Sequence, residues 1–285
     1  MADDVEFVWR GLSLGTATVT VTKVTGWLDL PGGSFESLRA AGHGIVPPRV
    51  VQGPRVVTVT GTVRGTPSTR DALVASLRSV MVPSAAASTA TEPLVGLVAG
   101  LTVVAEAKLT NFAVSIDPGV WNVAGWAPWS AQWMCPDPRV FGDWITETAV
   151  LVTATGGAAL PATLPLTLPA QPIGGRVSIY NPGNDPEGSP AVFTLVGAQS
   201  GTVGISLLST GATLMYGIAL GVDDTLVIDT ARGGAFLNGA YRAPTAGSSV
   251  TGDFRLPPGV SVVQALGSAG AGSPSLTVAV RPASW

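Results

Sequence analysis

The residues able to do chemistry in this chain are few, and their spacing does not favour it. General-base and zinc chemistry usually enlist histidine, and the 285-residue sequence holds one, His43, set between Gly42 and Gly44 in what reads as a flexible turn. No second histidine or cysteine lies near it, so a structural or merely exposed role fits better than a metal site. The one cysteine, Cys135, cannot form an internal disulfide. Its apolar neighbours make it a buried thiol and not a nucleophile. A glycosidase needs only two carboxylates across a cleft. Asp223-Asp224 and Asp185-Pro186-Glu187 are close pairs, but they stand in turn contexts where Asp bonds the local backbone, so they read as solvated turn residues. Asn184, Asp185 and Glu187 lack the spaced ligand series of a calcium loop. A nucleophile elbow, a P-loop and a dinucleotide fingerprint are likewise not expected. The expectation is a protein that is not an enzyme, with no catalytic, cofactor-binding or metal-binding residues and no cofactor.

The elements that would have to position such residues are mainly strands. Val19 and Val21 alternate with Thr18, Thr20 and Thr22; Val57, Val59 and Val63 alternate with Thr58, Thr60 and Thr62; Leu276, Val278 and Val280 repeat the pattern near the end. This is the period of a half-buried strand, with β-branched Thr on the wetter face. One helix stands out: Thr66 can cap it, Pro67 suits its first position, and Leu73, Leu77, Val80 and Met81 recur at helical spacing. It is expected over 67–81. A low-complexity loop from Ser84 to Ala90 follows, then two or three strands between Leu94 and Ile116.

Five of the eight tryptophans, Trp121, Trp126, Trp129, Trp133 and Trp144, lie within one short stretch. Large aromatics in a core or a subunit interface are the expected use, with an aromatic sugar platform as the alternative. Pro161, Pro165, Pro169 and Pro172 then punctuate an uncharged segment, 156–175, which reads as extended chain at a sheet edge or between domains. The expected division is 1–149 and 150–285, and the turn clusters downstream have the spacing of an antiparallel sandwich.

Bulk composition narrows the function. The length suits two domains. Charged residues make up 12% and the mean hydropathy is +0.42, against about 25% charged in ordinary soluble domains. The most apolar stretch, Leu94 to Ala105, is broken by Gly96, Gly100 and Thr102, so no membrane insertion is expected. The apolar surplus must go into cores or contacts between subunits. A net charge of −3 with 15 scattered basic residues argues against wrapping nucleic acid. The acidic start, Met1 to Glu6, has no apolar core of a secretory signal, and assembly in the cytosol is expected.

A series of short segments, taken in order, resembles the distal tail protein family of siphoviruses. In the first half these are Gly26-Trp27 with Leu30-Pro31, then Asp137-Pro138-Arg139-Val140-Phe141-Gly142. In the second half Leu164-Pro165-Leu166-Thr167 precedes Asn181-Pro182-Gly183, Phe193 to Gly197, Leu226 to Asp229, Asn238-Gly239, Pro257-Pro258-Gly259 and the terminal Arg281 to Trp285. The resemblance implies a mainly β fold: an N-terminal ring-forming β domain with one packed helix and a galectin-like C-terminal antiparallel β-sandwich. It also implies a homo-oligomer, a hexameric ring at the virion's tail tip. Its partners would be the tail tube protein, the tail hub and receptor-binding proteins, with DNA only in transit through the channel. Arg55, Arg64, Arg70 and Arg78 should then not converge on the pore, and the helix with the strands after Glu92 should contribute to the seam. The alternative reading is a carbohydrate-binding adhesion module.

Overall fold

The computed structural model describes residues 5–29, 37–38, 45–46, 53–66, 69–82, 90–98, 100–151, 175–270 and 273–285. His43, Leu30-Pro31, Pro67, most of the 84–90 loop, Leu164 to Thr167 and nearly all of the 156–175 segment lie outside these residues. The chain forms two compact units, residues 1–142 with Trp285 and residues 143–284. The division falls at Gly142/Asp143 and not near residue 150. The reason is a strand at 145–150 that pairs from Ile145↔Val280 to Val150↔Ser275 and so belongs to the second sheet system.

Unit 1 contains β1 (Glu6–Trp9), β2 (Leu12–Leu14), β3 (Val19–Thr25), β4 (Ser37–Leu38), β5 (Ile45–Val46) and β6 (Arg55–Arg64). It continues with α1 (Arg70–Val80), β7 (Glu92–Val98), β8 (Leu101–Val114), α2 (Pro118–Ala124), β9 (Trp126–Cys135) and β10 (Val140–Phe141). The main sheet runs β2-β1-β7-β8-β9-β6-β3. Its first and last strands are consecutive in the chain, and the Gly15 N–H donates to the Val19 carbonyl at 2.8 Å. The sheet therefore curls round on its own core. The alternation read in the sequence sets the faces: Val57, Val59 and Val63 point inward from β6, and Ala127, Trp129, Ala131, Trp133 and Cys135 point inward from β9. Gly61 breaks the Val series because a Cβ there would sit 1.8 Å from the Thr20 carbonyl oxygen and 2.8 Å from Trp129 Nε1. Trp9 meets Trp133 edge to face at 5.9 Å. Each such buried indole removes about 200 Å² from water, roughly 4–6 kcal/mol before ordering entropy is subtracted.

α1 starts later than expected. Its N-cap is Thr69, and the Thr66 carbonyl accepts from both Thr69 and Arg70 N–H. The side chains that reach the core are Val74, Leu77 and Met81, with Leu73 and Val80 half-buried beside them. Leu77 is 1% exposed. The apolar stripe of α1 is thus buried within unit 1, and what α1 leaves exposed is its polar face. A charge at Leu77 should therefore destabilise unit 1.

A second helix, α2, was not expected, although its signals are in the sequence. Asp117 accepts from Gly119 N–H at 2.8 Å, Pro118 opens the helix, and Gly125 closes it at φ +68°. Seven residues give Trp121 as the one buried contact, so no helical period can build up.

Unit 2 contains β11 (Ile145–Val150), β12 (Arg176–Asn181), β13 (Ala191–Val196), β14 (Gln199–Leu207), β15 (Ala212–Tyr216) and β16 (Thr225–Asp229). It ends with β17 (Gly234–Leu237), β18 (Ala240–Arg242), β19 (Gly259–Ala269), β20 (Ser275–Val280) and β21 (Ala283–Ser284). Two antiparallel sheets, β11-β20-β13-β16-β17-β18 and β12-β19-β14-β15, face each other across one core. Phe193, Leu195, Leu226, Ile228 and Leu276 come from the first sheet, and Val177, Ile179, Ile205 and Val263 from the second. The chain is mainly β and unit 2 is an antiparallel sandwich, as the alternation and turn spacing require.

Candidate functional site

Most of the polar side chains singled out by motif bond backbone, and the strongest case is one that the motif reading did not include. Arg55 opens β6 in phase with Val57 and Val59, which points its guanidinium into unit 1, where it is 1% exposed. Nε donates to the Pro138 carbonyl at 2.7 Å, and Nη1 donates to the carbonyls of Gly26 (3.0 Å), Trp27 and Asp29 (3.1 Å). A buried cation is tolerated only when fixed dipoles solvate it, and four carbonyls do so for Nε and Nη1, while Nη2 is buried without a partner. Burial pulls the Arg55 pKa below its ordinary value, with nearby Cys135 and Asp29 opposing the shift.

Three motif positions thus converge on one guanidinium. Gly26 has φ +80°, and a Cβ there would sit 1.9 Å from the Val56 carbonyl oxygen. Its N–H donates to Asp29 Oδ2 at 2.8 Å, which closes the turn that presents the carbonyls. Trp27 is buried edge-on to Phe7 at 5.0 Å and lies over Gly96, where any side chain would strike the indole. Asp137 binds Arg139 through Nε (2.9 Å) and Nη2 (2.6 Å) and accepts its backbone N–H. Arg139 in turn lies over the Phe141 ring at 5.5 Å. Gly142 ends the unit.

Asn181 plays the corresponding part in unit 2. Its amide donates to the carbonyls of Leu256 (2.8 Å) and Pro257 (3.2 Å), and its Oδ1 accepts from Gly183 N–H (3.0 Å) and Ser189 Oγ (3.1 Å). Ser189 Oγ accepts from Ala283 N–H at 2.7 Å. Gly183 is required because a Cβ would sit 2.3 Å from the Ala283 carbonyl oxygen, and Pro182 lies between these two anchors. Asp185 corrects the solvated-turn reading. It is 1% exposed, its Oδ1 accepts from Glu187 N–H, and its own N–H donates to the Ala283 carbonyl. Asn238 and Gly239 form the two-residue turn between β17 and β18, at φ +49° and +83°. Asn238 Oδ1 accepts from Thr225 N–H (2.9 Å), and its Nδ2 donates to Asp224 Oδ1 (2.7 Å). The Gly221 N–H and this amide hold the Asp224 carboxyl below its ordinary pKa.

The letters Gly-x-Ser-x-Gly do occur, at Gly11-Leu12-Ser13-Leu14-Gly15, against the expectation of no nucleophile elbow. The elbow requires a strand-to-helix turn, whereas Ser13 sits inside β2 opposite Val8. Cys135 is buried, and burial pushes its thiol up to about 11. Among the described residues no group of three or more His, Cys, Asp or Glu could hold a metal ion, and no helix is long and apolar enough to cross a membrane.

The remaining charges and aromatics are mostly engaged. Arg10, at φ +49°, chelates Glu92 through Nε and Nη2, and its Nη1 donates to the Val80 and Val82 carbonyls at the end of α1. This holds Glu92 below its ordinary pKa, chiefly through the side-chain hydrogen bonds. Arg70 donates to the Trp121 carbonyl and lies over that ring at 5.1 Å, while Arg64 and Arg78 are exposed. Of the five clustered tryptophans, Trp121, Trp129 and Trp133 are buried, and Trp126 and Trp144 are partly exposed. Unit 1 also exposes apolar side chains: Leu28 (71% exposed), Leu101, Ile116 and Val123 (90%).

No protein-family model matches this chain, and no curated protein sequence matches it. Solved structures do. The crystal structure of phage SPP1 Dit, described as a paradigm of the hub adsorption apparatus in phages infecting Gram-positive bacteria, matches with a TM-score of 0.64. The match covers 98% of this chain and 98% of that one at 12% identity. This chain has the Dit fold. A chain of the phage P2 baseplate, in its activated conformation with Ca, also matches over 98% of both chains, at 8% identity and a TM-score of 0.49. The Dit-like architecture contains both units, and each is tied by a buried polar residue that gathers backbone from distant segments.

Proposed function

We propose that this chain is a structural subunit of the distal end of a siphovirus tail. Six copies would close into a ring between the tail tube and the hub or receptor-binding apparatus, with a channel for DNA. The observation that carries this reading is the Dit fold over 98% of the chain, since SPP1 Dit belongs to a hub adsorption apparatus. The motif positions would serve as scaffolding: Gly26, Trp27 and Pro138 around Arg55, and Asn181 and Gly183 around Ser189 and Ala283.

A ring of identical subunits needs two different faces that fit each other. Low charge and exposed apolar side chains on unit 1 supply surface of the right chemistry. Because α1 buries its apolar stripe internally, the seam would use Ile116 and Val123, which flank or lie on α2. A glycan platform built from the tryptophan cluster is disfavoured, because three of its five indoles are buried.

Electron microscopy of the purified protein tests the reading. Rings with a central hole are expected, and Val123→Arg should disperse them without lowering the unfolding midpoint. Isolated two-lobed particles in both samples would overturn it.

A further inference from the structure

The chain contains one Asn-Gly pair, Asn238-Gly239, at an exposed hairpin tip. Asparagine followed by glycine is the sequence most prone to intramolecular deamidation, because no side chain on the next residue hinders its backbone nitrogen. That nitrogen attacks the asparagine Cγ, a five-membered succinimide forms and ammonia leaves. Water then opens one of the two imide carbonyls to give aspartate or isoaspartate.

We propose that Asn238 is a deamidation site restrained in the folded protein by Asp224, and that its conversion opens the outer edge of the six-stranded sheet. The restraint is geometric. For Cγ to swing onto the Gly239 nitrogen, the carboxamide must leave both Asp224 Oδ1 (2.7 Å) and Thr225 N–H (2.9 Å). The backbone is fixed as well, since the Asn238 N–H donates to the Thr225 carbonyl at 2.9 Å and both turn residues have positive φ.

The consequence follows from the same contacts. The amide nitrogen that donates to Asp224 would become a carboxylate oxygen, which places two anions at hydrogen-bond distance with no proton between them. Isoaspartate would in addition insert a methylene into a two-residue turn whose geometry both φ values define. Phe236 and Tyr241, paired across β17 and β18 at 6.1 Å, flank this turn, so the lesion would disturb the aromatic end of the sheet.

The test is peptide mapping by mass spectrometry of protein held at 37 °C and pH 8, folded and in urea, with Asn111, Asn122 and Asn184 as internal controls. Folded wild type should convert at Asn238 at least about tenfold more slowly than unfolded chain, the order of protection that one charge-assisted hydrogen bond confers. Asp224→Ala, checked as folded by circular dichroism, should recover most of that factor. If Asp224→Ala does not fold, Asn238→Asp decides through exchange of the β17 and β18 amides at pH 7, which should be faster than in wild type at the same pH. Equal rates in folded and unfolded wild type, an Asp224→Ala rate equal to folded wild type, or unchanged exchange in Asn238→Asp would overturn the proposal.

Discussion

Arg55 Nε donates to the Pro138 carbonyl at 2.7 Å across 83 residues of chain. With the three carbonyls of the 26–29 turn on Nη1, one guanidinium fixes two segments that no strand pairing joins directly. Arg55→Met keeps the side-chain length but orphans four acceptors, the Trp27 carbonyl buried and the other three part-buried. It should destabilise unit 1 by about 3 kcal/mol or more in urea unfolding. Arg55→Lys should recover little of this, because a point charge cannot hold the geometry of a planar fork. A loss below about 1 kcal/mol for Arg55→Met would show that the carbonyls find other partners.

Cys135 lies opposite Arg55 in the β6–β9 ladder and is buried, with its thiol pushed up to about 11. At pH 8 the folded protein should resist thiol-specific labelling, and the rate should follow opening of unit 1. Arg55→Met should speed labelling in proportion to its loss of stability. Rapid labelling of native wild type would contradict the burial.

Asn181→Ala removes two donors and two accepted bonds from unit 2. A loss of about 2–4 kcal/mol is expected in the transition that reports the sandwich core. Labelling of Cys135 should not change, since the two cores share no residue. Loss of protection at both places would show that the cores unfold as one.

Glu92 is held below its ordinary pKa by Arg10. A depressed folded pKa gives stability that is complete above the unfolded value near 4.5 and lost as pH falls through the folded value. The gap between wild type and Glu92→Gln should therefore be constant from pH 9 to 5 and shrink on further acidification. Both side chains are about a third exposed, so the gap should stay within ~1 kcal/mol. A gap that widens in acid would reverse the assignment.

Much of the fold was legible because its signals are local. The Val/Thr alternation fixed the inward faces of β6 and β20, and Leu73 and Leu77 announced α1. α2 was missed because about two turns around Trp121 cannot display a period, though Asp117-Pro118 and Gly125 mark both ends. Arg55 carried a readable signal, a charge in the inward phase of an alternating strand. Its partners, at Gly26 and Pro138, lie far away in sequence, so only the folded chain reveals what it holds. Asp185 was misread for the same reason: its backbone donor ends on Ala283.

The central claim is assembly through shared apolar surface, and native mass spectrometry of the purified 28.7 kDa chain at micromolar concentration tests it most directly. The account predicts a closed species of six copies. A single-copy species that persists at high concentration and when tail tube and hub proteins are supplied would contradict it.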